Sequence, residues 1–262
     1  MGHVLIKVEN LSMAVEDFRK LGFTVTYGAP PEKATNAMIY FDDGSFLELF
    51  CTRFNKVVDS LMGGVLWILS LKDRAFADRY RNYLSQPEGF KDYALDSLLP
   101  YSLEENMEQL RVAGLSMSKP KKMKRINAEG IPLSWALCHT PYWQQPFFMS
   151  EYQPSLPLEK EQYTHANGAA HIHKLRLVTS HWDRDIAFYG AILGYQLEIE
   201  GAKGKRHCSF RLGEVKLFLL EGTDDGIEEL VLKGGRAEAA GLLDRRYSHG
   251  AAIIIETGEE KT

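Results

Sequence analysis

The sequence predicts an α+β fold in which tandem βαβββ modules form concave, barrel-like mixed β-sheets with helices on the outside. Three observations carry that prediction. A strand-then-helix unit closing on Leu-Gly-aromatic occurs twice, as HVLIKVENLSMAVEDFRKLGF over residues 3–23 and KLRLVTSHWDRDIAFYGAILGY over residues 174–195. Both copies open on alternating apolar residues, Val4, Ile6 and Val8 or Leu175 and Leu177, then change from the two-residue period of a strand to helical spacing. Both helices stop at a glycine, Gly22 or Gly194, suited to the left-handed residue after a helix end. Such units hold their helix against one sheet face, and two side by side enclose a cleft on the other.

The elements follow in order. The first module, residues 1–55, has a strand at 3–8, a helix at 12–21 with Ser12 as N-cap, strands at 23–27 and 37–41, a turn at Asp42-Asp-Gly-Ser45 and a strand at 45–51. The second, residues 63–152, opens on the apolar run Val65-Leu-Trp-Ile-Leu-Ser-Leu71, read as its first strand. An insertion follows, with a helix at 73–84 and an irregular stretch to Pro100. Ser102 and Glu105 then form a capping box for a helix ending at Gly114, and strands at 121–126, 132–139 and 146–152 complete the module. Residues 153–167 lack periodicity and read as a linker. From 168 to 262, a third module has a strand at 172–179, a helix at 183–193 and strands at 195–200, 206–212 and 214–220. A shortened fourth has a strand at Ile227–Leu232, one or two helical turns in Arg236–Leu243 and a closing strand at Ala251–Glu256. The concave sheets are expected to face one another.

Composition narrows the function classes. With 262 residues and 45% hydrophobic content, the chain can bury a full core. No run approaches the roughly 20 apolar residues of a membrane span, and residues 1–20 lack a signal-peptide core, so the cytoplasm is the expected compartment. Three cysteines, Cys51, Cys138 and Cys208, lie too far apart for a Cys-x-x-Cys metal knuckle and suggest no disulfide framework. A net charge of −4 gives no general attraction to nucleic acid. The one basic run, Lys119–Arg125, reads as the solvated face of a short strand meeting a turn at Asn127–Gly130.

Phe188-Tyr and Leu193-Gly-Tyr195, within the repeat, resemble the vicinal-oxygen-chelate superfamily of glyoxalases, bleomycin-resistance proteins and extradiol dioxygenases. A narrower resemblance, to glyoxalase-like domain proteins, rests on Gly2-His-Val4, Thr35-Asn36, Phe46-Leu-Glu-Leu49, Leu133-Ser-Trp135, Pro146-Phe-Phe148 and His165-Ala-Asn-Gly168. It is specific for fold and weak for reaction.

Strand alternation places Val4, Ile6 and Val8 under the helix and His3, Leu5 and Lys7 in the concavity; likewise Leu47 and Leu49 leave Glu48 with Phe46 and Phe50 on the cleft side. In the superfamily a first-strand histidine and a last-strand glutamate converge on a divalent metal, and His3 and Glu48 hold those positions. Their donors suit zinc, manganese, iron or nickel. Without the metal, His3 reads as a locally bonded terminal residue and Glu48 as an outward charge. Glu151 is the candidate third ligand, because Val65–Leu71 offers no histidine, and two convincing ligands imply weak metal binding. Glu48 or Glu151, if freed from the metal, is the candidate proton carrier. Asn36, Phe46, Phe50, Trp67, Trp135 and Phe147 are the candidate pocket walls. In the second half Lys174 stands at the histidine position and Leu217 at the glutamate position, so a metal-free partner is expected. His171 and His173 share the Leu175 parity and read as buried or edge residues.

Two functions follow. One is a metal-assisted lyase, isomerase or oxygenase acting on a small molecule with vicinal oxygens; the other is a protein that sequesters a drug-like molecule or metabolite without chemistry. Either takes a small molecule as partner, with no nucleic acid and no membrane, and is compatible with a homodimer.

Overall fold

The computed structural model describes residues 1–52, 70–71, 73–85, 87–97, 102–194 and 206–258. An eight-stranded sheet contains β1 (His3–Lys7), β2 (Thr26–Tyr27), β3 (Asn36–Tyr40), β4 (Phe46–Phe50), β5 (Gly89–Asp96), β6 (Lys121–Ile126), β7 (Pro132–His139) and β8 (Phe147–Met149), in the order β2-β3-β4-β1-β5-β8-β7-β6. A six-stranded sheet contains β9 (His171–Thr179), β10 (His207–Leu212), β11 (Val215–Glu221), β12 (Gly226–Gly235), β13 (Gly241–Leu242) and β14 (Ile253–Thr257), in the order β10-β11-β9-β12-β14-β13. The helices are α1 (Leu11–Lys20), α2 (Arg74–Ser85), α3 (Leu103–Val112), α4 (Lys160–Tyr163) and α5 (Trp182–Leu193).

Within each module the first strand pairs in parallel with the last, β1 with β4, β5 with β8, β9 with β11 and β12 with β14. The two modules of a sheet then join antiparallel through their first strands, β1 to β5 and β9 to β12. This is the mixed, curled architecture the repeats imply.

Local chemistry explains the helix ends. α1 is capped by Asn10, whose side chain accepts from the Met13 N–H at 3.1 Å, two residues earlier than the expected Ser12. Leu11, Ala14, Val15 and Phe18 recur at helical spacing and are buried. Gly22 follows with φ of 89°, and a Cβ there would stand 2.9 Å from Asn167 Cβ. Both conformation and space therefore require glycine. Gly194, after α5, also has positive φ. Ser102 and Glu105 form the predicted capping box of α3.

Two expectations change. Residues 65–69 and the expected strand at 195–200 lie outside the described residues and Ser70 and Leu71 are helical, while the strand beside β1 is β5, in the stretch read as irregular. Its signal was hidden because a bulge sets Lys91 between the pairs Leu5–Asp92 and Ile6–Phe90, which breaks the alternation, and because Asp92 is a buried charge. The concave faces also do not face one another. Val4, Ile6, Phe18, Tyr93, Leu175, Leu217 and Phe188 belong to one continuous core, so the helix-bearing sides of both sheets meet. α1 touches the second half through Phe18 stacked on His249, and the Tyr189 hydroxyl of α5 bonds that of Tyr93 on β5.

The His165–Gly168 motif fastens the halves together. His165 Nδ1 accepts from the Thr24 N–H at 3.0 Å, which leaves Nε2 to donate to the Tyr40 carbonyl at 2.9 Å. Asn167 donates to the Leu21 carbonyl at 2.9 Å and, through its backbone, bonds Gly22 and Arg236. The ring of His165 sits edge-on to Phe23 and Phe41. Burial lowers its pKa, so the neutral ring is the native form. Its contribution is complete above the ordinary histidine value of about 6.5 and is lost as pH falls below it. His165→Ala should cost about 2–4 kcal/mol in urea unfolding at pH 7.5, from two lost hydrogen bonds and a ring-sized void. The wild type should lose stability from pH 7 to pH 5, and His165→Gln should lose less over that range; equal slopes would remove His165 from the titration.

Candidate functional site

The β1–β4 register opposes His3 to Phe46 and Leu5 to Glu48, so His3 and Glu48 are diagonal neighbours on the cleft face. His3 Nε2 stands 3.4 Å from Glu48 Oε2. The imidazole stacks on Phe46, with centroids 4.4 Å apart and planes 6° from parallel, and meets the edge of Phe147. Burial, reinforced by the Arg125 charge, pushes His3 down to about 3, so the ring is neutral at physiological pH. Burial raises Glu48, while the hydrogen bond from Asn36 Nδ2 to Oε1 at 2.7 Å and the Arg125 charge oppose the rise. Glu48 Oε2 is thus left facing His3.

The second module repeats the geometry with different chemistry. Ala94 on β5 opposes His3 across the centre of the sheet, and Phe147 pairs with Ala94 as Phe46 pairs with His3. Two residues along each outer strand stand Glu48 and Met149. The four converging positions therefore carry one imidazole, one carboxylate and two apolar groups. Glu151 is exposed on the rim of the adjacent cavity, beside Asp96, and among the described residues no group of three His, Cys, Asp or Glu side chains converges on one point. His3 and Glu48 are suited to hold a divalent cation from one side: a neutral imidazole nitrogen and a carboxylate oxygen face each other at 3.4 Å. His3 Nδ1 is buried without a hydrogen-bond partner, so no acceptor among the described residues fixes the tautomer, as second-shell groups usually do.

A cavity of about 590 Å³ opens beside the pair, lined by Met38, Tyr40, Phe46, Arg125, Met149 and Tyr152 among others. Trp135 meets Tyr152 edge-on at 5.1 Å, next to it. Arg125 is the residue the sequence reading missed. The β6–β7 and β7–β8 registers put Arg125, Leu133, Met123, Trp135, Leu137 and Met149 on one face, so the alternate residues Lys122 and Lys124 are the solvated ones. Arg125 reaches into the cleft. The signal was available: a lone arginine two residues from Met123 on a strand shares its face.

The chain matches the Glyoxalase-like domain family over residues 1–190. It belongs to that family, within the vicinal-oxygen-chelate superfamily. Among solved structures it is similar to a hypothetical protein from Staphylococcus aureus, at 14% identity, 98% coverage of both chains and TM-score 0.68. It is also similar to the Mn(II)-bound glyoxalase from Novosphingobium aromaticivorans, at 11% identity, covering 90% of this chain and 66% of that one, with TM-score 0.51. An extradiol ring-cleaving dioxygenase from B.fuscum matches at 11% identity and TM-score 0.55, over 91% of this chain and 57% of that one. At these identities the likeness is one of fold. No curated protein matches the sequence. No helix among the described residues is long and apolar enough to cross a membrane.

In this glyoxalase-like protein the insertion fills part of the concave face. Arg79 of α2 and Tyr83 both bond the Asp92 carboxylate on β5, and Arg79 Nη2 donates to the Gln145 carbonyl at 2.7 Å. Phe50, expected as a pocket wall, instead packs against Tyr83. Trp67 lies outside the described residues. Burial raises Asp92 and the neighbouring Arg79 charge opposes it, while Arg79 itself keeps its charge.

The second half of this glyoxalase-like fold closes the equivalent position with an ion pair. Lys174 Nζ bonds Glu256 Oε1 on β14 at 2.8 Å, and His173 Nε2 lies 4.0 Å from the same carboxylate. A bulge between the pairs Val231–Lys174 and Leu232–Ile172 resets parity, so Ile172, not His173, joins Leu175 in the core. The register also opposes Arg176 to Phe218, which makes Phe218 rather than core-facing Leu217 the counterpart of Glu48.

Asp92→Asn should cost about 3–5 kcal/mol in urea unfolding, because it strips the counter-charge from Arg79, which is 5% exposed. The double variant Arg79→Met/Asp92→Leu should cost less than the sum of its single changes. Additive costs would mean that the two charges are not coupled.

Proposed function

We propose that the protein is a metal-assisted lyase, isomerase or oxygenase acting on a small molecule with neighbouring oxygens. One observation carries the reading: His3 Nε2 and Glu48 Oε2 stand 3.4 Å apart, the imidazole buried and the carboxylate half-buried, beside a 590 Å³ cavity. The likenesses to a manganese-bound glyoxalase and an extradiol dioxygenase support it through the fold.

His3 and Glu48 would hold the cation, which when bound polarises substrate oxygens. Asn36 orients the Glu48 carboxylate through Oε1 and leaves Oε2 for the cleft. When Glu48 is not holding the cation, burial raises its pKa and brings this carboxyl closer to neutrality as a proton carrier than a solvated glutamate. Phe46 and Phe147 hold the His3 ring and exclude water from it. Glu151, on the cavity rim, is the second candidate to move a proton. A second reading, sequestration of a small molecule without chemistry, is favoured by the convergence of only two donors among the described residues.

Calorimetric titration of manganese, nickel and zinc into chelator-treated protein should show weak binding in the wild type, reduced at least tenfold by His3→Ala and by Glu48→Gln. Affinity should fall as pH drops through the raised Glu48 pKa, because the proton competes with the cation. Turnover of small molecules bearing neighbouring oxygens should require the added metal. Unchanged metal affinity in both variants would remove the pair from the site, and ligand binding by metal-free protein with no turnover under any metal would favour sequestration.

A further inference from the structure

The cavity contains a cation with no carboxylate partner among the described residues and with donors to spare. Arg125 is half-buried on β6, and its Nε atom is buried with no hydrogen-bond partner. Nη1 reaches the Met38 sulfur at 4.0 Å, the guanidinium also bonds the Tyr40 hydroxyl, and the described residues give Arg125 no ion pair. The guanidinium is instead held by rings, 5.2 Å from the Tyr152 centroid and 5.8 Å from that of Trp135. It spans the cavity: a Cβ on Gly28, at the end of β2, would stand 3.0 Å from Nη1. Gly28 thus leaves the guanidinium and Asn36 the room they occupy.

A planar fork of N–H donors, desolvated on one side and free of a protein counter-charge, matches an anion with two coplanar oxygens. The surroundings select among anions. Asp96, Glu129 and Glu151 line the same cavity, so a second negative charge on the ligand would be repelled, whereas a single one is neutralised by Arg125. Tyr40, Leu133, Met149 and Tyr152 offer apolar and aromatic wall to the rest of the molecule. The carboxylate of Glu48 lies close enough to feel the arginine charge but does not pair with it.

We propose that Arg125 is the anion-recognition residue of this cavity, and that the ligand is a monocarboxylate with an aromatic or apolar body. The proposal rests on the reading of the cavity as the substrate site and extends it: the carboxylate sits on Arg125 and the neighbouring oxygens turn toward His3 and Glu48.

The probes are phenylglyoxylate, which combines a carboxylate, an adjacent carbonyl and a ring, its uncharged methyl ester, and phenyl phosphate. Binding to chelator-treated full-length protein is read by ligand-observed NMR and calorimetry, in the wild type, Arg125→Met and Arg125→Lys. Phenylglyoxylate should bind the wild type at least tenfold more tightly than its ester or phenyl phosphate. Arg125→Met, which keeps the apolar stem, should lose that advantage while binding the ester as the wild type does, and Arg125→Lys should keep only part of it. Equal affinity for acid and ester in the wild type, tighter binding of phenyl phosphate, or an unchanged acid affinity in Arg125→Met would each overturn the proposal. The acid–ester comparison needs no variant, so it decides even if Arg125→Met fails to fold. Because metal is absent throughout, a failed metal titration leaves this result standing, and an overturned carboxylate preference leaves the His3–Glu48 reading standing.

Discussion

Parallel pairing of β1 with β4 is the constraint on which the rest of the molecule depends. Its register puts Val4, Ile6, Leu47 and Leu49 on the side of α1, where all are fully buried, and therefore sends His3 and Glu48 to the opposite face. A slip of one residue between the two strands would turn one strand over, placing either His3 or Glu48 in the core and two aliphatic side chains in the cleft. The hydrophobic burial that stabilises the first module thus also aims its polar pair. The same pairing recurs in the other modules, where the converging positions carry Ala94 and Met149 or an ion pair between Lys174 and Glu256. One backbone arrangement is used repeatedly, and the side chains decide which copy can do chemistry.

The two ends of the first sheet's concave face are handled differently. Toward Leu5 and Phe50, α2 covers it, tied down by the buried Arg79–Asp92 pair and the Tyr83 hydroxyl. Toward β2 and β6 the face stays open as the cavity around Arg125. The two arginines differ in what their terminal nitrogens meet: those of Arg79 bond a buried carboxylate and two backbone carbonyls, whereas Arg125 is packed against rings and has no carboxylate partner among the described residues. Between them Phe46 and Phe147 enclose the His3 ring, and that burial, reinforced by the Arg125 charge, is why His3 is so far from protonation.

Much of this was legible from residue order alone, because period-two alternation is a local property and His3, Glu48, Phe46 and Phe147 inherit their faces from their neighbours. What failed was whatever depended on register between distant segments. A bulge concealed β5 and another reversed the parity of His173, and a bulge has no signature in a single strand. Arg125 was misread and Asp92 passed over for a related reason: a charge in a strand looks solvated until its partner, a pair of rings or a distant helix, is known. The His165–Gly168 motif was recognised as a resemblance, but its role as a clasp between the halves emerges only from its bonds to Thr24, Tyr40 and Leu21.

The central claim is that His3 and Glu48 form one cation-binding point on the floor of the cleft. Crystals of the protein soaked in manganese and measured on either side of the manganese absorption edge test it most directly. The account predicts a single anomalous peak in bonding contact with His3 Nε2 and Glu48 Oε2. A peak at Glu151 and Asp96 with none at His3, or no ordered manganese in the cleft at saturating concentration, would contradict it.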